Sequence, residues 1–364
     1  MAGPTGPGFP SSTNVFIPNL EASGRLIVGF SRNAKRFHLP KYCQYVKSDQ
    51  TVGLYMKLSP QEAARVVTVQ EYEWPDGQTR PVHADGLEQF NLLEFRTHRY
   101  DYGFNVGWLT RKQAMWPIVE QHAEIHAAKC MTARTVRILS VLTTAANWQT
   151  SADPDLSANH TNTATALAGG QFDKGTSTVP YIKIALDKIA ALVNLDTLGV
   201  VEPDMLQVII NPNQARLWAE SSEIHEYIKG SYWAKEELEQ GLSPNNKYGL
   251  PSSVYGYPII VENCVQVTSR KGAPLVKSLA MLDQTVLVVS RVGDIEGVYG
   301  GPSFSTATIF HYADDEGSGG EMSLETFDDP KNKLTEGHVV ENTAEVLTSP
   351  LSGYLITSST SVAS

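Results

Sequence analysis

Cysteine is scarce in this chain: Cys43, Cys130 and Cys264 are the only three in 364 residues. An odd number at such separations fits neither a disulfide framework nor a zinc-knuckle spacing, which points to a reducing compartment. Long apolar runs are missing too. The longest, such as Val286 to Val289, are strand-sized, far short of the ~20 residues that span a bilayer. The opening MAGPTGPGFPSSTNVF has no early positive charge and no apolar centre, which excludes a secretory signal. Positive charge is also short. Lys and Arg number 29 against 39 Asp and Glu, and the net charge of −10 argues against a uniformly basic nucleic-acid binder.

Catalytic signatures are absent as well. The sequence has no G-x-S-x-G elbow and no G-x-G-x-x-G after a strand. GGQFDKGTS (169–177) has the outline of a phosphate loop, but Thr176 stands where the lysine must be. Glu236, Glu237 and Glu239 beside Lys235 read as a solvated helix face, and Asn159-His160-Thr161 matters as a sequon only in a secreted protein. His122, His126 and Cys130 fall at i, i+4 and i+8, so one helix face could offer three ligands to a metal. HAEIH lacks the glutamate placement of H-E-x-x-H, however, and no fourth ligand is evident. A histidine face packed on neighbouring chain is the stronger reading, with a metal-dependent hydrolase as the alternative from another class. No cofactor is expected.

What is present is a sequence of distinct segments, and 364 residues exceed what one core of up to ~250 residues usually serves. Residues 1–40 read as an extended arm. Arg25, Arg32, Lys35, Arg36, Lys41 and Lys47 sit between 25 and 47 without a single acid. Ser59 with Glu62 forms a capping box. VVTVQEYEW, the turn Pro75-Asp76-Gly77 and the returning FNLLEFRTHRYDYGF read as a long hairpin. Such a hairpin is not stable alone and must lie on something. From Glu62 to Glu94 it carries seven acids against Arg65 and Arg80, a net of −5.

After Pro117 neither Gly nor Pro occurs up to Asn147, which predicts a helix about 45 Å long. Its second half holds Lys129, Arg134 and Arg137 and no acid. Residues 148–178 are polar and read as loop. Pro180 opens an amphipathic helix with Ile182, Leu186, Ile189 and Leu192 on one face. MLQVIINPNQARLWAESSEIHEYIKG then gives a strand (Leu206 to Ile210), a helix opened by Asn211-Pro212, and a second short helix. A long loop and the strand Ile259-Ile260-Val261 follow, and the remainder is strand-rich.

This order resembles the major capsid proteins of tailed bacteriophages, the α+β Hong Kong 97-type capsid fold, and QEAARVV and VPYIKIALDKIAAL are similar to pieces of such proteins. The resemblance implies an N-terminal arm and linking segment over 1–59 and an E-loop hairpin over 60–105. A P-domain with a spine helix follows over 106–195, then an A-domain over 196–311. P-domain return strands cover 312–348, and a C-terminal strand and tail to the A-domain cover 349–364. It implies a non-enzymatic shell protein that forms hexamers and pentamers of itself in the virion, after assembly in the host bacterial cytoplasm. The shell would enclose double-stranded DNA bound without sequence preference, with a portal at one vertex and no membrane. The arm opens at Met1 without a long helical extension, so scaffolding, like decoration, would come from separate proteins. An encapsulin-type nanocompartment is the runner-up. Arg32, Lys35 and Arg36 of the arm are expected to meet Glu71, Glu73, Asp76 and Asp85 of a neighbour's hairpin. Lys129, Arg134 and Arg137 are expected to face DNA phosphates, with ion pairing between subunits as their competing role.

Some shells of this fold harden by an isopeptide bond from a hairpin lysine to a neighbour's asparagine. No lysine lies between Lys57 and Lys112, and no cysteine lies in the hairpin. Arginine does not replace the missing amine, since its guanidinium stays protonated. Mature particles boiled in detergent are therefore expected to run as one band near 39.8 kDa. A ladder of covalent multimers would refute this.

Overall fold

The computed structural model describes residues 37–57, 76, 91–114, 117–270, 272–291, 305–312 and 322–361. Residues 1–36 of the expected arm, 58–59 of the linking segment, and 60–75 and 77–90 of the expected hairpin lie outside these. From the N-terminal side, α1 (Leu39–Tyr42) leads to β1 (Gln44–Ser48) and β2 (Val52–Lys57), and β3 (Asn91–Arg96) and β4 (His98–Gly107) follow. Next come α2 (Trp108–Gln113), the long α3 (Ile118–Leu142), β5 (Thr161–Thr163), α4 (Ala164–Ala168) and α5 (Tyr181–Asp196). The central part holds β6 (Leu206–Ile210), α6 (Pro212–Glu220), α7 (Ser222–Gly230) and α8 (Tyr232–Glu239). β7 (Ser253–Val254), β8 (Tyr257–Val261), β9 (Val265–Val267), β10 (Lys277–Leu279) and β11 (Val286–Ser290) complete it. The chain closes with β12 (Ala307–Tyr312), β13 (Ser323–Asp329), β14 (Leu334–Leu347) and β15 (Tyr354–Thr357).

Two large sheets organise these elements. One runs β5-β15-β11-β6-β8-β7; the other runs β1-β12-β14-β13, with β4 also on β14. Strands β6, β8, β11 and β15 are apolar along nearly their whole length because both faces of their sheet are covered. Alternate residues go to opposite cores. Val208, Ile210, Ile259, Val261, Val286 and Val288 meet α5, α6 and Ile224 of α7 on one side. Ile209, Ile260, Leu287 and Val289 meet α1, the end of α3 and Trp148 on the other. Ala307 and Ile309 of β12 join this second core, so the two sheets share it.

The helix boundaries follow from local chemistry. Asn211 accepts a hydrogen bond from the Gln214 amide at 2.8 Å, and Pro212 takes the first helical position, where no N–H is needed. Ser221 and Ser231 each end one helix and cap the next, receiving the amides of Ile224 and Ala234. The helix face read at 235–239 belongs to α8, which occupies the start of the stretch otherwise expected as a long loop. The predicted 117–147 helix stops at Leu142, giving about 37 Å. The side chains of Asn147 and Trp148 donate to the carbonyls of Val141 and Leu142, both at 2.8 Å, and so satisfy groups that a continuing helix would have bonded.

The 148–178 segment, expected to be loop, supplies a sheet edge and core. Strand β5 pairs in parallel with β15, and Phe172 is buried against Trp218. His160 is fully buried and joins the Gly353 carbonyl and Asp196, each at 2.7 Å. Helix α5 begins after Pro180, which has no capping side chain. Glu223 of α7 takes that role and accepts from the amides of Ile182 and Lys183 at 3.1 and 3.0 Å. Gly175 makes room for it, since a Cβ there would lie 2.1 Å from the Glu223 carboxylate. The phosphate-loop lookalike is a cradle for that carboxylate.

Strand β3, the start of the expected return strand, pairs antiparallel with β2, which lies before the expected hairpin, so the base of the loop is set further back. The rest of that return strand, β4, pairs with β14 instead. Phe95 stacks on Phe310 with ring centroids 4.0 Å apart, and Gly53 leaves space for the Phe95 ring. Lys57 pairs with Asp153 and, at 2.9 Å, with Asp155, tying the base to the segment after α3.

Glu262, fully buried at the end of β8, anchors the first described residues to the six-stranded sheet. Its carboxylate accepts from the Tyr42 hydroxyl and the Cys264 amide, both at 3.0 Å. Burial raises its pKa to about 7, against the opposing effect of those hydrogen bonds and of Lys41. A carboxyl that holds its proton more tightly when folded contributes stability that is present below its unfolded pKa near 4.5 and lost as pH rises through about 7. Glu262→Gln is expected to remove a fall on the order of 3 kcal/mol across that window. Urea unfolding from pH 4.5 to 8 checks it, and equal slopes for both proteins would count against it.

Candidate functional site

The densest polar constellation lies between α3 and β14. Strand alternation turns Glu341, Thr343 and Glu345 of β14 toward α3, and turns Tyr100 and Tyr102 of β4 the same way. Helical spacing turns Arg134 and Arg137 toward them. Arg134 is 0% exposed, and its Nε and Nη2 both donate to Glu341 Oε2, at 2.9 and 2.7 Å. Arg137 Nη2 donates to Glu341 Oε1 at 2.7 Å and to Glu345 Oε1 at 2.8 Å. The Arg137 guanidinium lies 3.9 Å above the Tyr100 ring, and its Nη1 reaches the Tyr102 hydroxyl. Burial alone would lower the Arg137 pKa, but the Glu345 and Glu341 carboxylates hold it well above the ordinary arginine value.

This corrects the expectation that Arg134 and Arg137 face DNA phosphates. The missing acids of α3 come from β14, more than two hundred residues away in sequence, and within the same chain rather than from a neighbour. Lys129 stays exposed, beside His126. The signal that sequence reasoning missed is faint. Strand β14 mixes polar and apolar residues on both parities, and Val339 and Val340 are both buried, so alternation alone does not mark Glu341 and Glu345 as facing α3.

The imidazole face is a packing surface. His122 stacks on Phe104 with centroids 5.6 Å apart, and His126 tilts against the same ring at 5.2 Å. Burial and the nearby Lys129 lower the pKa of both. Burial, and Glu341 beside it, push the Cys130 thiol up, away from the thiolate a metal would need. Among the described residues no group of three or more His, Cys, Asp or Glu is arranged to hold a metal, and no helix is long and apolar enough to cross a membrane.

Of the expected contact residues, Asp76 lies in an exposed turn, while Arg32, Lys35, Arg36, Glu71, Glu73 and Asp85 lie outside the described residues. Exposed apolar side chains occur at several places among the described residues, from Leu195, Leu198 and Val200 at and after the end of α5 to Leu324 and Phe327 on β13. Leu54, Leu92 and Leu93 sit on the β2–β3 base, where a cleft of about 490 Å³ opens between Tyr55, Leu93, Val141 and Pro154. Tyr232 and Trp233 project from α8, the latter 80% exposed, and Val265 and Val267 project from β9.

Glu341 serves two arginines, so its loss leaves buried positive charge unmatched. Glu341→Ala is expected to cost about 3–5 kcal/mol in urea unfolding of the single chain, whereas adding Arg134→Met to Glu341→Leu recovers most of it. A cost below about 1 kcal/mol for Glu341→Ala would show that the pairing is not felt.

No family model and no curated protein matches the sequence. Solved structures do match the fold. The capsid of cyanophage P-SCSP1u aligns with a TM-score of 0.60 at 11% identity, over 96% of this chain and 98% of that one. A phage-related protein from Bordetella bronchiseptica gives 0.57 at 11% identity, over 90% and 93%. The mature capsid of bacteriophage PhiM1 gives 0.55 at 12% identity, over 92% and 90%. At such identities the likeness is one of architecture, and it extends across nearly the whole of each chain. The chain has the α+β, Hong Kong 97-type fold of phage capsid proteins.

Proposed function

We propose that this chain is the major capsid protein of a tailed bacteriophage, a structural protein whose copies build an icosahedral head around double-stranded DNA. The observation that carries the reading is the end-to-end fold match to phage capsids, with 96% of this chain aligned to the cyanophage capsid. Two further features support it. The β2–β3 base holds Leu54, Leu92 and Leu93 in solvent, an arrangement that gains buried area only on another molecule. The polar clusters seen among the described residues are packing devices, with the His122 and His126 rings and the Cys130 thiol turned into protein.

In this reading residues 1–59 are the arm and linker, 60–105 the E-loop, 106–195 and 312–348 the P-domain, and 196–311 with 349–364 the A-domain. α3 is the spine helix. Head-to-tail contacts close hexameric and pentameric rings, and the two kinds of ring together close a shell. The arm's Arg32, Lys35 and Arg36 meet the acidic hairpin of a neighbour. A portal occupies one vertex, and scaffolding and cement proteins are separate chains. The protein acts as a shell component of the virion, not as an enzyme.

The purified protein under assembly conditions is expected to scatter light as a closed particle of many copies, with rings visible in negative-stain images. A mass of one or two folded chains would overturn the reading. Particles that carry a protein cargo in place of DNA would assign the shell to a nanocompartment instead.

A further inference from the structure

The ribbon formed by β9 and β10 is not used by the site described above. Its two strands pair antiparallel, Lys277 opposite Val267 and Leu279 opposite Val265, and with no other strand among the described residues. The root is firm. The Ala280 amide donates to the Cys264 carbonyl at 2.8 Å, and Met281 is buried against α1 and the end of α3. Beyond the root the ribbon stands in solvent. Val265, Val267, Leu275 and Val276 are 46–64% exposed. A two-stranded ribbon with apolar side chains in water, paired to no further described strand, is a poor structure by itself and a good template for another strand.

Its charge has one sign. Between Glu262 and Asp283 the sequence holds Arg270, Lys271 and Lys277 and no acid. Arg270 and Lys277 are exposed, and neither has an ion-pair partner among the described residues. The ribbon therefore calls for a partner that is acidic and apolar together. Nucleic acid supplies the acid alone, and phosphates gain nothing from four exposed aliphatic side chains. The same chain contains a segment with both properties. Residues 62–94 carry seven acids against two arginines, and Glu71 and Glu73 alternate with Tyr72 and Trp74.

We propose that the β9–β10 ribbon is the docking surface for the acidic 62–94 segment of a second copy of this chain. The segment's carboxylates face Arg270 and Lys277, and its apolar residues cover Val265 and Val267. The contact joins two different surfaces, so repeated copies run head to tail, as a ring requires. The proposal rests on the shell reading and names the partner surface within it.

The test places a photo-crosslinking benzoylphenylalanine at Val267, which is exposed and outside the core. Isotope-labelled chains bearing the probe are mixed with unlabelled chains, allowed to assemble and irradiated, and light scattering records particle mass. Mass spectrometry is expected to find the probe joined to a peptide from 62–94 of an unlabelled chain. Arg270→Glu with Lys277→Glu is expected to lower that yield about tenfold, since charge reversal turns attraction into repulsion. Capture of any other region, of the probe's own chain or of DNA overturns the docking. If particles still form in that case, the shell reading stands without it. If no particle forms and no other chain is captured, both fail.

Discussion

Arg134 has no route to water, so its charge must be met inside the protein, and Glu341 meets it with two hydrogen bonds of 2.7 and 2.9 Å. Through Arg137 the same carboxylate is linked to Glu345 and to the rings of β4. This network sets how α3 lies on the sheet. A buried ion pair adds little net stability over a well-packed apolar pair, but an unpaired one is costly. A one-residue slip of β14 would turn Glu341 and Glu345 to the opposite face and strand two arginines among β1, β4 and β14. The long helix and the long strand are thereby held in a single register.

The other junctions use the same device on a smaller scale. Glu262 binds Tyr42 and so fastens the first described residues to β8. Glu223 caps a helix that cannot cap itself. His160 with Asp196 binds the 148–178 segment to the turn before β15. Each is a buried polar group that joins segments far apart in sequence, and each is satisfied by two or more partners. The apolar cores supply cohesion, which is non-directional. These polar joints supply direction, and a protein built to repeat one geometry many times needs both.

Surface is divided accordingly. The α3–β14 seam is closed within the chain, while the β2–β3 base, Trp233 of α8 and the β9–β10 ribbon keep apolar side chains in solvent. Segments that lack a core of their own gain one only from neighbours. The acidic stretch 62–94 and the basic stretches 25–47 and 263–282 add charge of both signs for such contacts.

Much of the fold was legible in the sequence because its signals are local. Asn211-Pro212 starts a helix whatever surrounds it, since the cap is made three residues away. The strand Leu206–Ile210 and the long helix after Pro117 follow from patterns within a few turns of chain, and the order of the segments carried the resemblance to capsid proteins. The strand β5 and the cradle of Gly175 were not legible. Their stability comes from β15 and from Glu223, partners that a polar stretch does not announce. The candidate site was least legible of all. In sequence Arg134 and Arg137 stand in an acid-free run, so partners for their charge, phosphates or a neighbour's acids, were expected outside the chain. Coulomb attraction depends on distance in space, and only the packing of α3 on β14 brings carboxylates from more than two hundred residues away to within 3 Å of them.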